Sequence, residues 1–352
     1  MCNDKLHQFL HDLPKCEHHV HIEGTISAEL LFSLASKNGI SLPADDSAFV
    51  SPTTLRARYK RFTSLDDFLH YYFIGFSVLL GVSDFEVLTY DYLSRAYSQK
   101  VYHAEIFFDP QAHTSRGVTY QTIISGLNVA KQRAERDFPK LSVEFIPCLL
   151  RHLPVASGHR MLTELLETGH FSDGTLVGFG MSSTELERHP SLYKDIYDAA
   201  RAAGVANLTA HYGEEGPSDY VKDALSLLGV RRIDHGQRSA EDEELIAQLA
   251  ETSTMLTLCP ISNVVLKGVE SMQELPIRKF LEAGVKFSIN SDDPAYFGCY
   301  IQENYCAVQE AFGLSVGDWE KIARGAITGS WCSRARQEQL LKELDEVLQQ
   351  WA

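Results

Sequence analysis

Four short polar segments punctuate the chain, each at the end of an apolar run: HVHIEG at 19–24, HYGEEG at 211–216, DHG at 234–236 and NSDDP at 290–294. Together they offer three histidines and a carboxylate for one metal ion, with spare acid and base groups beside it. That is the inventory of a hydrolase that activates water. His19 and His21 stand two apart, and on a strand such residues face the same way. Two imidazoles could then reach one ion, although in a chain with 14 histidines chance alone supplies roughly half of one such pair. His18 points the other way and reads as a packing histidine.

His211 ends a run, and Glu214 follows three residues on. A histidine ligand with a nearby carboxylate suits a reaction in which one holds the metal and the other moves protons. Alone, HxxE is common on helix surfaces. Glu215 next to it reads as solvent-facing or as a residue behind the site. His235 is either a metal ligand or a base beside the bound water, against the alternative of a core histidine. Asp292 and Asp293 face opposite ways if extended, so one can bind metal while the other meets the ligand. DDP also has a helix-capping reading. Four motifs at four separate strand ends weaken each of these alternatives.

The set His19, His21, His211 and Asp292 is nitrogen-rich with one carboxylate. It favours Zn²⁺, with Fe²⁺ or Co²⁺ as substitutes. Zinc so held brings the pKa of bound water towards ~7. A different zinc-hydrolase pattern, H-x-E with P-C-x-x-C, is not met: Pro147-Cys148 has no second cysteine at the required spacing.

The elements that must position these residues recur along the chain. Apolar or β-branched runs lie near 16–21, 100–108, 142–149, 175–181, 205–212, 231–235, 254–259 and 285–290. Amphipathic stretches of helical period lie between them, such as 119–137, 191–203, 218–228, 241–251 and 276–283. Eight strand–helix units predict an α/β fold, a closed (β/α)8 TIM barrel, in a single domain over 1–352. An open sheet fits the spacing too, but no G-x-G-x-x-G phosphate fingerprint occurs. The first connection is long. Residues 27–99 carry helical patterns, including 64–80, and should form a helical lid insertion after strand 1, on the face where barrel sites form. The tail at 333–352 reads as an amphipathic helix sealing the barrel exterior, with a dimer contact as the alternative.

Composition limits the partners. The 352 residues are 44% hydrophobic, and the formal net charge is −15. This argues against nucleic acid, which needs Lys/Arg clusters, and fits a small uncharged or cationic ligand. Seven scattered cysteines without CxxC suggest a reducing compartment, cytoplasmic or also nuclear. No apolar run approaches the ~18–20 residues of a membrane span.

From LPKCEHHVHIEGT to NSDDPAYFG the sequence resembles the adenosine/adenine deaminase family of metal-dependent hydrolases. The resemblance implies a barrel, one Zn²⁺ per chain and hydrolytic loss of the exocyclic amine of a purine. It assigns His19, His21, His211 and Asp292 to the metal. It makes Glu214 the acid at purine N1 and His235 the base that orients and deprotonates the water. Asp293 would meet N7, and the turn at Ser183 would meet N3, where nucleoside deaminases usually have glycine. The adenine branch is the better match: Glu23 replaces an aspartate, Phe107 stands where nucleoside enzymes carry arginine, and Tyr296 and Phe297 follow the aspartates. Glu23 is expected to accept N9–H or to lie near N3, so that a nucleoside leaves it uncompensated.

The leading expectation is therefore zinc-dependent conversion of adenine to hypoxanthine and ammonia in purine salvage. The alternative is an adenosine or N6-substituted adenine deaminase. A nucleotide substrate would want a basic pocket, for which only RARYKR at 56–61 offers itself, and that run reads more readily as a solvated helix face. A non-catalytic barrel and a two-metal amidohydrolase are the remaining alternatives. Met181-Ser182-Ser183 at strand four offers no bridging lysine for the latter.

Overall fold

The computed structural model describes residues 5–351; Cys2 lies outside them. Eight parallel strands form at the predicted runs: β1 Lys15–Glu17, β2 Val101–Phe108, β3 Ser142–Leu150, β4 Gly180–Ser182, β5 Thr209–Tyr212, β6 Arg232–His235, β7 Met255–Leu258 and β8 Phe287–Ile289. β1 to β4 pair in order, and so do β5 to β8. Parallel bridges join Phe179 to Leu208 and Val20 to Asp292, which closes the two halves into one barrel. Strands such as β2 and β5 are buried along their whole length. This is what a barrel demands, since side chains fill the inside and helices cover the outside.

The helices follow from their patterning. In Tyr120–Asp137 the side chains of Ile123, Ile124, Leu127, Ala130 and Ala134 make one buried face, and Thr119 caps the start by accepting from Thr122 N–H. Each fully buried leucine or isoleucine on such a face contributes roughly 1.5–3 kcal/mol. The tail helix Arg334–Trp351 buries Leu340 and Leu344, sets Trp351 against Phe9 at 5.6 Å and donates from Arg336 to Tyr102 C=O at 2.6 Å.

The long first connection holds four helices, Ala28–Asn38, Pro52–Tyr59, Leu65–Gly75 and Val82–Ser98. They do not play one part. Val82–Ser98 packs along Tyr120–Asp137 as an outer helix of the barrel. Leu65–Gly75 instead lies over the C-terminal end of the strands, and Leu65, Phe68, Leu69, Tyr72 and Phe73 from it line a cavity there. Arg116, after β2, ties down the end of this helical unit by donating to Ser77 C=O at 2.8 Å and to the carbonyls of Phe76 and Leu79 at 3.4 Å.

Candidate active site

Backbone pairing brings the outermost motifs together. His21 N–H donates to Asp292 C=O and Asp292 N–H to His19 C=O, both at 3.0 Å. The carboxylate of Glu17 accepts from Ser291 N–H at 3.0 Å and from Tyr92 OH at 2.7 Å, which anchors the turn after β8. As the spacing predicts, His19 and His21 face the same way. His211, from the neighbouring half of the barrel, brings its Nε2 to 3.1 Å from His21 Nε2. Asp292 Oδ1 lies 3.3 Å from His19 Nε2 and 3.6 Å from His21 Nε2. His19, His21 and His211 thus form one buried cluster, and Asp292 joins His19, His235 and Cys259 in a second that shares His19, beneath the ring of Phe107, whose centroid is 5.1 Å from that of His19.

A second layer fixes which nitrogen of two of the rings is free. Thr257 OH donates to Asp234 Oδ1 at 3.2 Å, so its oxygen accepts from His19 Nδ1–H at 2.9 Å. His211 Nδ1 lies 3.2 Å from Asp234 Oδ2, which also accepts from Thr209 OH at 2.7 Å. Burial works to raise the Asp234 pKa, but His211, His19 and Thr209 outweigh it and hold this carboxyl well below the usual range. Both rings thus keep the proton on Nδ1 and turn a lone pair inward from Nε2. His19 Nε2 and His211 Nε2 present lone pairs in this buried pocket, and His21 Nε2 lies 3.1 Å from His211 Nε2; a nitrogen-lined point of this kind suits a cation. Three imidazole nitrogens and one carboxylate oxygen fit zinc. Cys259 is also near His19, His235 and Asp292. Burial, the largest effect, and the carboxylates around it push its thiol well above the ordinary range.

Beside this point stand Glu214 and His235, the residues expected to act as acid and base. His235 Nε2 is 3.4 Å from Glu214 Oε2 and 3.9 Å from Asp292 Oδ2, and its Nδ1 is approached by the Asn263 amide at 3.4 Å. Burial holds His235 well below the usual histidine range, so the ring is neutral and can accept a proton. Burial and then the charge of Asp292 push Glu214 well above the carboxylate range, which favours its protonated form. Opposite environments for acid and base are what proton-transfer catalysis requires. His235, Asp292 and Ser183 hold positive φ angles of 63°, 65° and 83° without being glycine. Such backbone costs about 1–3 kcal/mol each and collects where function holds it in place.

The cavity above the site is lined by His21, Ser182, Ser183, His211, Glu214, His235, Asp292, Asp293 and Asp109 besides the apolar residues of the insertion. Asp293 Oδ1 is buried without a partner, and burial with the charge of Asp292 raises its pKa well above normal. Gly24 passes so close that a Cβ there would sit 2.0 Å from Asp293 Oδ1, which explains the glycine of HIEG. Ser183 holds the left-handed turn that glycine would favour, and its hydroxyl meets His152 Nδ1 at 2.7 Å.

Glu23 is not among the lining residues. Its Oε1 accepts from Asp109 N–H at 3.1 Å and from His113 Nε2 at 2.8 Å. Arg116 donates to His113 Nδ1 at 2.9 Å, so the imidazole proton is on Nε2, facing Glu23. Burial raises the Glu23 pKa to about 7. The carboxyl that faces the cavity here is Asp109, which sequence reasoning missed. It accepts from Tyr72 OH and Ser182 OH, both at 3.1 Å, yet burial and the neighbouring Glu23 raise its pKa well above normal. It follows the second apolar run directly, the same signal that singled out His211 and His235. Asp234 was likewise visible inside DHG. Among the described residues, no Lys or Arg lines the cavity. In the RARYKR run, Arg58 is bound to Asp67 and lies over the Tyr71 ring at 4.5 Å, and Arg56 pairs with Glu29.

Comparison with known proteins agrees with this geometry. The family model described as adenosine deaminase matches residues 14–347. The chain is 53% identical over 351 residues to an adenine deaminase of Gibberella zeae, covering 100% of this chain and 99% of that protein. The crystal structure of an adenine deaminase from Arthrobacter aurescens superposes with a TM-score of 0.89 at 39% identity, covering 96% of this chain and 99% of that one. An amidohydrolase from Burkholderia ambifaria, solved with bound Zn, superposes with a TM-score of 0.87 at 26% identity, covering 98% and 94%.

Proposed function

The chain belongs to the adenosine deaminase family, and on that premise we propose that it hydrolyses adenine to hypoxanthine and ammonia with one zinc ion per chain. The observation that carries this reading is the convergence of His19, His21, His211 and Asp292 beneath a neutral His235 and a protonated Glu214. When bound, zinc supplies a Lewis acid that makes water nucleophilic at neutral pH.

The chain's own residues do the rest. Attack at C6 breaks the aromaticity of the ring, so the ring must be made electron-poor first. Glu214, kept protonated by burial, donates its proton to N1. His235 accepts the proton of the attacking water, and Asp292 holds the water's position. Asp293, also kept protonated, donates to N7, and the Ser183 turn meets N3. Such preorganised groups act where charge develops, in a site shielded from water by Leu65, Phe68 and Phe73.

The free base is preferred because the wall beyond N9 is a carboxyl. Asp109 accepts N9–H there, and Glu23 acts behind it by holding the Asp109 N–H. A nucleoside brings no N9–H and sets its sugar against this buried wall, where Asp109 is already held by Tyr72 and Ser182. The absence of cationic residues among the described lining residues weighs against nucleotides. A place in purine salvage and a cytoplasmic setting complete the reading. Its test is turnover of adenine and adenosine side by side by the wild type and by Asp109→Asn. Adenine alone should be turned over by the wild type, and the variant should lose at least about tenfold in kcat/KM. Adenosine turnover at a similar rate would overturn the assignment to free base.

A further inference from the structure

Glu185 lies in the loop after β4, fully buried and outside the cavity lining. Its carboxylate accepts three successive backbone N–H groups of the loop that carries the N1 acid: Gly213 at 2.9 Å on one oxygen, Glu214 at 3.0 Å and Glu215 at 2.9 Å on the other. Glu185 N–H donates in return to Glu215 Oε2 at 3.2 Å. The next residue, Gly216, approaches so closely that a Cβ would lie 2.4 Å from Glu185 Oε1. Three consecutive N–H dipoles aimed at one point form a concavity for an anion, and here the anion is built into the chain.

The neighbouring turn is held separately. Arg151 donates from Nε to Ser183 C=O and Thr184 C=O, both at 2.8 Å, and from its guanidinium to His211 C=O. Removing Glu185 therefore leaves the 213–215 loop held through its carbonyls alone, by Gln237 on Glu214 C=O at 3.2 Å and Arg238 N–H on Gly213 C=O at 3.1 Å, while the Ser183 turn keeps Arg151.

We propose that Glu185 is a positioning residue for the chemical step, setting the reach of the Glu214 carboxyl through the backbone of its loop. This rests on the reading of Glu214 as the acid at N1. A displacement of about 1 Å at such a group costs on the order of 10²-fold in rate, while the remaining contacts to the base are untouched.

The test is Glu185→Gln, whose amide can satisfy the loop through only one oxygen. Wild-type turnover of adenine, measured alongside, checks the functional reading independently. In the variant, kcat for adenine should fall roughly 10- to 100-fold, while KM stays within about threefold because the other base contacts remain. Zinc content and the stoichiometry of hypoxanthine binding should match the wild type, which separates misplacement from a loss of folded sites. A wild-type kcat, or a fall in kcat matched by lost zinc or lost hypoxanthine sites, overturns the proposal. If Glu185→Gln does not fold, Glu215→Ala removes the return hydrogen bond together with a carboxylate charge beside Glu214, and is compared at a pH below the alkaline limb. It should lower kcat about three- to tenfold with an unchanged melting temperature, as expected for ~1 kcal/mol. An unchanged kcat there overturns the proposal.

Discussion

At the residue scale the account turns on two groups whose proton affinities move in opposite directions. Glu214 must carry a proton, and burial together with Asp292 raises its affinity, so activity should be lost as pH rises through its elevated pKa. His235 must be neutral, and burial lowers its pKa, so activity should be lost only when pH falls below the ordinary histidine range. The kcat profile should therefore be bell-shaped, flat around neutrality, with an alkaline limb that disappears in Glu214→Gln. A profile with no alkaline limb in the wild type would contradict the protonated acid. Glu214→Gln itself should cost roughly 10²–10⁴-fold in kcat with zinc retained, because Glu214 is not among the ligands. Asp234→Asn should act elsewhere. It takes the carboxylate from His211 Nδ1 and from the Thr257 hydroxyl that accepts from His19 Nδ1, and the expected result is a metal affinity lowered about 10- to 100-fold, read by competition with a chelator. An unchanged affinity would mean that the Asp234 carboxylate does not set the tautomers.

At the element scale, the eight strands were legible because each is an apolar run ending in a polar residue, and parallel barrel strands are buried on both faces. The ends were less so. The fourth run was expected at 175–181, but the regular strand is Gly180–Ser182, since pairing with β3 starts only at Cys148. The segment 27–99 was expected to be one unit. Its last helix, Val82–Ser98, is a wall of the barrel, and periodicity alone does not tell which surface an amphipathic face will meet. Glu23 illustrates the other limit. Its sequence position is next to the site, but the turn that begins there folds its carboxyl onto His113 and Asp109 N–H. Glu185 had no local signal at all, because its meaning lies in N–H groups about thirty residues away. The insertion also yields a prediction. Ser64 caps Leu65–Gly75 by accepting from Asp67 N–H. Ser64→Ala should destabilise that helix by about 1 kcal/mol and raise KM for adenine more than it lowers kcat. Equal loss in both would place the helix in the chemical step.

At the scale of the whole molecule, the barrel gathers residues from positions 19 to 293 at the C-terminal ends of its strands, which is why no single motif could be decisive. Their order along the chain reported on their meeting point only because a closed barrel brings first and last strands together, as the exchange of hydrogen bonds between His19, His21 and Asp292 does here. The acidic surface accords with the absence of cationic residues in the cavity lining, and among the described residues no helix is long and apolar enough to cross a membrane. The central claim is that this site deaminates adenine and needs its metal to do so. The most direct measurement follows the ultraviolet absorbance of adenine in the presence of protein stripped by a chelator, then reloaded with one equivalent of Zn²⁺. The account predicts no turnover by the stripped protein and conversion to hypoxanthine after a single equivalent. Equal turnover in both states, or none after zinc is bound, would contradict it.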